Sequence, residues 1–154
     1  MSTMDHTQRV FEDLAMGDRL PLLRRRPGAV TLFRFSAVSW NAHRIHYERT
    51  YAEKEGHAGP LVHSQLHGCY LAQAVTDWMG PRGQLLRFSW QNRAPATVDT
   101  DLVVSGTVGR LYLIEGVGHV ELELEEHDAA GTLCAPGRAT VTLPRRGQED
   151  RNPR

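Results

Sequence analysis

One apolar helical stripe narrows the folds open to this chain more than any other feature. Between Ser64 and Met79, Leu66, Tyr70, Ala74 and Trp78 recur at intervals of four, and Leu71 and Val75 widen the stripe. Pro60 upstream and Gly80-Pro81 downstream punctuate the segment, so a helix over Ser64–Met79 is predicted. It is the best helix in the chain, and its stripe needs a partner surface.

The rest of the chain supplies that surface as strands. Leu85–Asn92, Asp101–Val108, Leu111–Glu125 and Thr132–Leu143 read as strands separated by Pro, Gly and Asp-Ala-Ala-Gly turn signals. Val120, Leu122 and Leu124 alternate with Glu121, Glu123 and Glu125, which gives that strand one dry and one wet face. Upstream, Phe11 to Leu20 reads as a short turn or one-turn helix leading into a strand, and Val30–Ser36 as a strand. Asn41 to Tyr51 begins as a helical turn, and Glu55 to Pro60 is a loop. A long helix followed by antiparallel strands is most simply buried by curling the sheet around the helix. The expected class is therefore α+β, a single hot-dog domain over residues 11–144, with flexible tails at 1–10 and 145–154.

Composition removes several alternatives. The 154 residues are enough for one domain with a core. Eighteen basic and eighteen acidic residues cancel, so the chain lacks the one-sided field of a nucleic-acid or anionic-membrane binder. No apolar run approaches the roughly 20 residues needed to cross a bilayer, and the polar start is unlike a secretory signal. Cys69 and Cys134, far apart and without a CxxC partner, read as free thiols in a cytoplasmic protein. Cys69 falls inside the predicted helix, which argues against a nucleophile.

Histidine is the unusual residue. Five of the eight, His43, His46, His57, His63 and His67, lie between positions 43 and 67. Imidazole suits proton transfer near neutral pH, so this region is where chemistry is expected. His43 and His46, three apart, could share a helical face, but no Cys, Asp or Glu completes a convincing zinc set. Phosphate-cradling glycine loops, GxSxG elbows and dinucleotide fingerprints are absent from the sequence.

The run Asn41-Ala42-His43-Arg44-Ile45-His46-Tyr47-Glu48 resembles the signature of MaoC-like, R-specific enoyl-CoA hydratases: Asp, any residue, Asn, Pro, aliphatic, His. Within that superfamily it is most similar to the mesaconyl-C4-CoA and 3-methylfumaryl-CoA hydratase branch. Phe11-Glu12-Asp13-Leu14 with Gly17-Asp18, and Gly59-Pro60-Leu61-Val62-His63-Ser64 at the helix entry, resemble the superfamily more loosely. The resemblance implies a hydratase/dehydratase acting on an α,β-unsaturated acyl thioester, with no cofactor beyond the coenzyme A or carrier-protein thioester. It also implies a paired subunit: a homodimer or higher homo-oligomer, or a heterodimer with a separate partner.

Carried over by position, His46 is expected to be the acid/base group. Asn41, which stands where the signature has aspartate, would hold the water, since an amide cannot act as a base. Asn41 reads equally as a turn or N-cap residue. The backbone N–H of Ser64, opening the long helix, is expected to face the developing enolate oxygen; a serine helix cap is the alternative, and the two roles are compatible. His43, Arg44, His63 and Tyr47 are expected to contact substrate. Arg44, Arg87 or Arg93 would suit a second acyl carboxylate, each competing with a solvated surface role. The run Arg24-Arg25-Arg26 would suit coenzyme A phosphates or is simply solvated. Glu48 is an alternative second carboxylate. His57 and His67 read as loop and helix-surface residues. Two rival activities stay in view: a hot-dog thioesterase, which would need a carboxylate near the long helix, and a non-catalytic thioester-binding module.

Overall fold

The protein is described here over residues 8–147, as a computed structural model. Its elements run β1 (Leu23–Arg25), α1 (Ala29–Val38), α2 (Arg49–Lys54), α3 (Ser64–Met79), β2 (Gln84–Trp90), β3 (Leu102–Ile114), β4 (Val117–Asp128) and β5 (Leu133–Leu143), with 3-10 turns at Phe11–Asp13 and Arg44–His46. The strands form one antiparallel sheet in the order β1-β3-β4-β5-β2. The sheet wraps α3 as the hot-dog arrangement requires. Inward-facing Val104, Val108, Val120, Leu122, Leu124 and Val141 meet Leu66, Leu71, Val75 and Trp78 of the helix in one buried core. No helix among the described residues is long and apolar enough to cross a membrane.

α3 occupies the span that its stripe predicted, and one of its residues explains how closely the sheet approaches. A Cβ on Gly68 would lie 2.6 Å from the indole of Trp90 at the end of β2. Only glycine at that helix position lets the ring lie flat against the backbone.

Two predictions are corrected. The strand expected at Val30–Ser36 is the body of α1. Its buried residues, Leu32 and Ser36, are four apart, while Val30, Phe33, Ala37 and Trp40 form an outward stripe at helical spacing. The period was therefore helical, and β-branched content misled because propensity is a weak prior beside packing. The true first strand, β1, comes just before it. Secondly, the break expected between Val108 and Leu111 is a bulge inside a continuous β3. The chain turns later, at Glu115-Gly116, where both residues have positive φ (48° and 80°), the two-residue turn that suits a twisted hairpin.

The expected tails fall mostly outside the described residues. Of the described parts, Gln8 Nε2 donates to the Met79 carbonyl at 3.0 Å, and Arg145 Nε donates to Glu12 at 2.8 Å. Both chain ends are thus tied to the domain as far as they are described.

Candidate active site

The site is built where α1, the turn at Arg44–His46 and the entry to α3 converge. The entry is held in place by backbone bonds: Leu61 N–H donates to Ile45 O (3.0 Å), Val62 N–H to Ala96 O (2.8 Å) and Val98 N–H to Pro60 O (2.8 Å). An extended stretch leading into a helix is thereby pinned from two sides.

Asn41 starts the motif as a turn residue. Its Oδ1 accepts the His43 N–H at 3.1 Å, and its own N–H reaches Ser36 O at 2.9 Å. His43 then caps the 3-10 turn, its Nδ1 accepting the Ile45 N–H at 3.2 Å. Asn41 is thus tied to local backbone through its side-chain oxygen, and the amide nitrogen is the remaining polar group of the side chain.

His46 has the geometry of a base. Its Nδ1 lies 2.9 Å from Leu61 O. A carbonyl only accepts, so in neutral His46 the proton sits on Nδ1 and the Nε2 lone pair is available. Partial burial holds the pKa of His46 below the usual histidine value, against the pull of the Leu61 bond, with nearby His43 adding to the lowering.

Behind it stands His63. The two rings stack with centroids 3.8 Å apart and planes 17° from parallel. His63 is fully buried; its Nε2 meets Ser36 Oγ at 2.8 Å, the Phe35 ring packs at 4.9 Å, and Nδ1 has no partner among the described residues. Burial, with His46 beside it, pushes its pKa down to about 4. Such a ring is neutral at physiological pH. The unfolded chain binds a proton at His63 from about pH 6.5, and the folded chain only near 4. Stability should therefore fall as pH drops through that window, and His63→Phe should flatten the dependence in urea titrations at stepped pH.

The other expected contacts are distributed differently. Arg44 donates through Nε and Nη2 to both oxygens of Glu48, each at 2.6 Å, and its guanidinium lies 4.9 Å from the Tyr51 ring centre. The pairing raises the pKa of Arg44 and lowers that of Glu48. Arginine and glutamate thus occupy each other. Tyr47 donates its hydroxyl to Ala42 O at 2.9 Å, closing the loop on itself. Arg87 and Arg93 are exposed, the latter beside Arg138 in a cleft at the end of β2. Arg24, Arg25 and Arg26 line a separate cleft, with Arg26 paired to Asp101 at 3.1 Å.

Ser64 is the first residue of α3, but the capping position is His63, so the serine-cap reading is corrected. The Ser64 N–H is among the first-turn donors that a helix leaves without an internal partner. Trp90 Nε1 donates to the Ser64 carbonyl at 3.2 Å, steadying that turn.

His67 is a further correction. It is buried rather than on the helix surface, and its Nδ1 pairs with Glu126 of β4, which is itself fully buried. Glu126 was legible: the alternation of Val120, Leu122 and Leu124 continues to position 126 on the dry face. Ser36 was hidden by the mistaken strand. A pocket of about 220 Å³, lined by Phe33, Ser36, Trp40, Asn41 and Tyr47 among others, opens beside the motif. Among the described residues no group of three His, Cys, Asp or Glu side chains is placed to hold a metal.

Comparison with known proteins settles the family. The model of the hydroxyacyl-thioester dehydratase type 2 family matches residues 18–98, more than half of the chain. The chain belongs to that family. The matched span of this type 2 dehydratase relative contains α1, the histidine stack and all of α3. The chain is also 40% identical over 110 residues to mesaconyl-C(4)-CoA hydratase of Chloroflexus aurantiacus, covering 71% of this chain and 36% of that protein. It therefore spans about a third of the length of that curated relative. Two solved structures share the fold. R-hydratase PhaJ1 from Pseudomonas aeruginosa aligns with a TM-score of 0.81 at 20% identity, over 94% of each chain. A putative MaoC domain protein dehydratase from Chloroflexus aurantiacus aligns with a TM-score of 0.83 at 13% identity, over 99% of this chain and 45% of that one.

Proposed function

We propose that the protein is a hydratase/dehydratase that reversibly adds water to an α,β-unsaturated acyl thioester. The observation that carries the reading is His46, held by Leu61 O in the tautomer that leaves Nε2 free beside the start of α3. In the hydration direction, Nε2 takes a proton as water oxygen bonds to Cβ. The π electrons move to the thioester, whose oxygen becomes the enolate, and the first-turn N–H of Ser64 faces that charge. Collapse of the enolate with a proton delivered at Cα completes the addition. Asn41 orients the water through its amide. The net change is one water added, with no electron gained or lost, so no cofactor beyond the carrier thioester is required.

The pocket beside the motif, with Phe33, Trp40 and Tyr47 on its wall, favours a short acyl chain with apolar character. With Arg44 engaged by Glu48, a second acyl carboxylate would have to be met by Arg87 or Arg93. Glu126 does bring a carboxylate to the long helix, as a thioesterase would need. It is fully buried behind His67, however, where a thioester carbonyl does not reach. A cytoplasmic setting fits the two free cysteines.

The purified protein should hydrate enoyl-CoA esters, read as loss of enoyl absorbance, and dehydrate 3-hydroxyacyl-CoA esters. A panel from crotonyl to mesaconyl esters ranks the acyl groups. Release of free coenzyme A would turn the assignment to thioesterase, and binding without turnover would turn it to a binding module. Because His46 works unprotonated and its pKa is lowered, the acid limb of kcat/KM should lie below the ordinary histidine range. In the same assay Asn41→Asp restores the carboxylate of the wider signature, and a rise in kcat would mark asparagine as a compromise.

The working unit is a homodimer. Val30 (70% exposed), Phe33 (62%) and Trp40 (92%) form an outward apolar stripe on and beside α1, larger than a lone surface residue explains. β1 and β2 also end the sheet with free edges. Light scattering on the eluted protein should give twice the 17.3 kDa chain mass.

A further inference from the structure

We infer that His63, held by Ser36, is a positioning residue: a neutral, buried platform that fixes the ring plane of His46 and keeps water from its far face. The inference rests on His46 being the acid/base group.

Among the described residues His46 has one in-plane tether, the bond from Nδ1 to Leu61 O. One hydrogen bond fixes a direction but leaves the ring free to rock about it. The face-to-face contact with His63 at 3.8 Å removes that freedom, because any tilt would drive the rings into each other. His63 can serve only if it is itself immobile. Its backbone caps α3, its Nε2 is held by Ser36 Oγ and its far side is packed by Phe35. Ser36 in turn is one of the two buried residues of α1, so the helix is part of the support.

The chemistry sets a second requirement. When His46 takes the proton from water, the ring stacked on it must not already be charged. The titratable neighbours of His46 are His63 and, on its own turn, His43 at 6.0 Å between centroids. His43 is exposed, so solvent screens it, whereas a charged His63 would repel the imidazolium at 3.8 Å in a dry setting. His63 avoids this by staying neutral. Because the two rings lie face to face, neither nitrogen of His63 is placed to take the proton from Nε2 of His46. The proton therefore stays on Nε2 of His46, where the enolate can reclaim it. A fully buried ring is also not placed to touch substrate, which separates this role from the substrate contact the sequence suggested.

Three variants test the inference by two readouts. His63→Ala removes the platform: kcat should fall about 10- to 100-fold with KM within about twofold, the signature of lost positioning rather than lost binding. Water entering the space should also raise the pKa of His46, read by NMR titration of its imidazole and by an acid limb of kcat/KM moved to higher pH. His63→Phe keeps a flat neutral ring and should recover most of kcat and the low titration of His46. Ser36→Ala, which cuts the tether but also alters one pocket-lining side chain, should shift the His46 titration in the same direction as His63→Ala but less, and serves through that readout if His63→Ala does not fold. A rise in KM at constant kcat, or a His46 titration identical in all variants, overturns the inference. The NMR titration needs no substrate. If no thioester is turned over, the hydratase reading fails while the platform is still decided by the titration.

Discussion

Replacing His46 with alanine should reduce kcat for hydration by about 10²–10⁴-fold, the range a positioned acid/base group supplies. KM should change little, because the imidazole acts on water and on developing charge rather than on the resting thioester. The variant should remain folded. His46 is only partly buried, and its loss leaves one carbonyl, Leu61 O, that water can reach. The second tether of this stretch, Leu61 N–H to Ile45 O, is untouched. The measurement is single-turnover and steady-state hydration of the best ester from the panel. Hydration persisting at wild-type rates would remove His46 from the mechanism and move attention to His43 or Glu48.

The second large effect is on stability. Glu126→Ala should destabilise the protein by about 3–5 kcal/mol, because it leaves the His67 ring in the core without the carboxylate that pairs with it and opens a cavity. For a domain of this size that corresponds to a fall of roughly 6–20 °C in Tm. Replacing both partners, His67→Leu with Glu126→Leu, should recover most of the loss, since an apolar pair of similar volume has no charge or donor to desolvate. Thermal and urea unfolding of the two single variants and the double variant complete the cycle, and additive losses would show that the pair is not a unit.

The fold and the site were legible to different degrees, for physical reasons. α3 was readable to the residue because its stripe and its punctuation agree, and the alternation of β4 was readable because one of its faces is wet. α1 was not, because Val30, Phe33, Ala37 and Trp40 put apolar residues on a face that this chain alone leaves uncovered. A helix apolar on both sides loses the contrast that marks its period. The turn at Glu115-Gly116 was passed over in favour of Gly109, since a glycine marks a bulge as readily as a turn. At the site, the motif marked His46 as the expected acid/base group, but a one-dimensional reading could not tell a contact with substrate from a contact between neighbours. Arg44 and Glu48, four apart, satisfy each other, and His63 stacks on His46. Ser36 becomes visible only once the period of α1 is correctly assigned, whereas Glu126 follows from carrying the β4 alternation two residues further.

The tight turn at Glu115-Gly116 also bears on the order in which the molecule assembles. β3 and β4 are joined by two residues, so their long ladder can close locally and early. β2 has to await β5, and β1 has to await β3, across much longer stretches of chain than the hairpin spans. The segment that carries the histidine stack is held differently, because Ile45, Leu61, Val62 and Ala96 are tied by single bonds rather than by a long ladder. Amides of the β3–β4 hairpin should therefore be the last to exchange with deuterium, and those from Ile45 to Val62 among the first outside the loops. The reactive part of the molecule should open before the hairpin does.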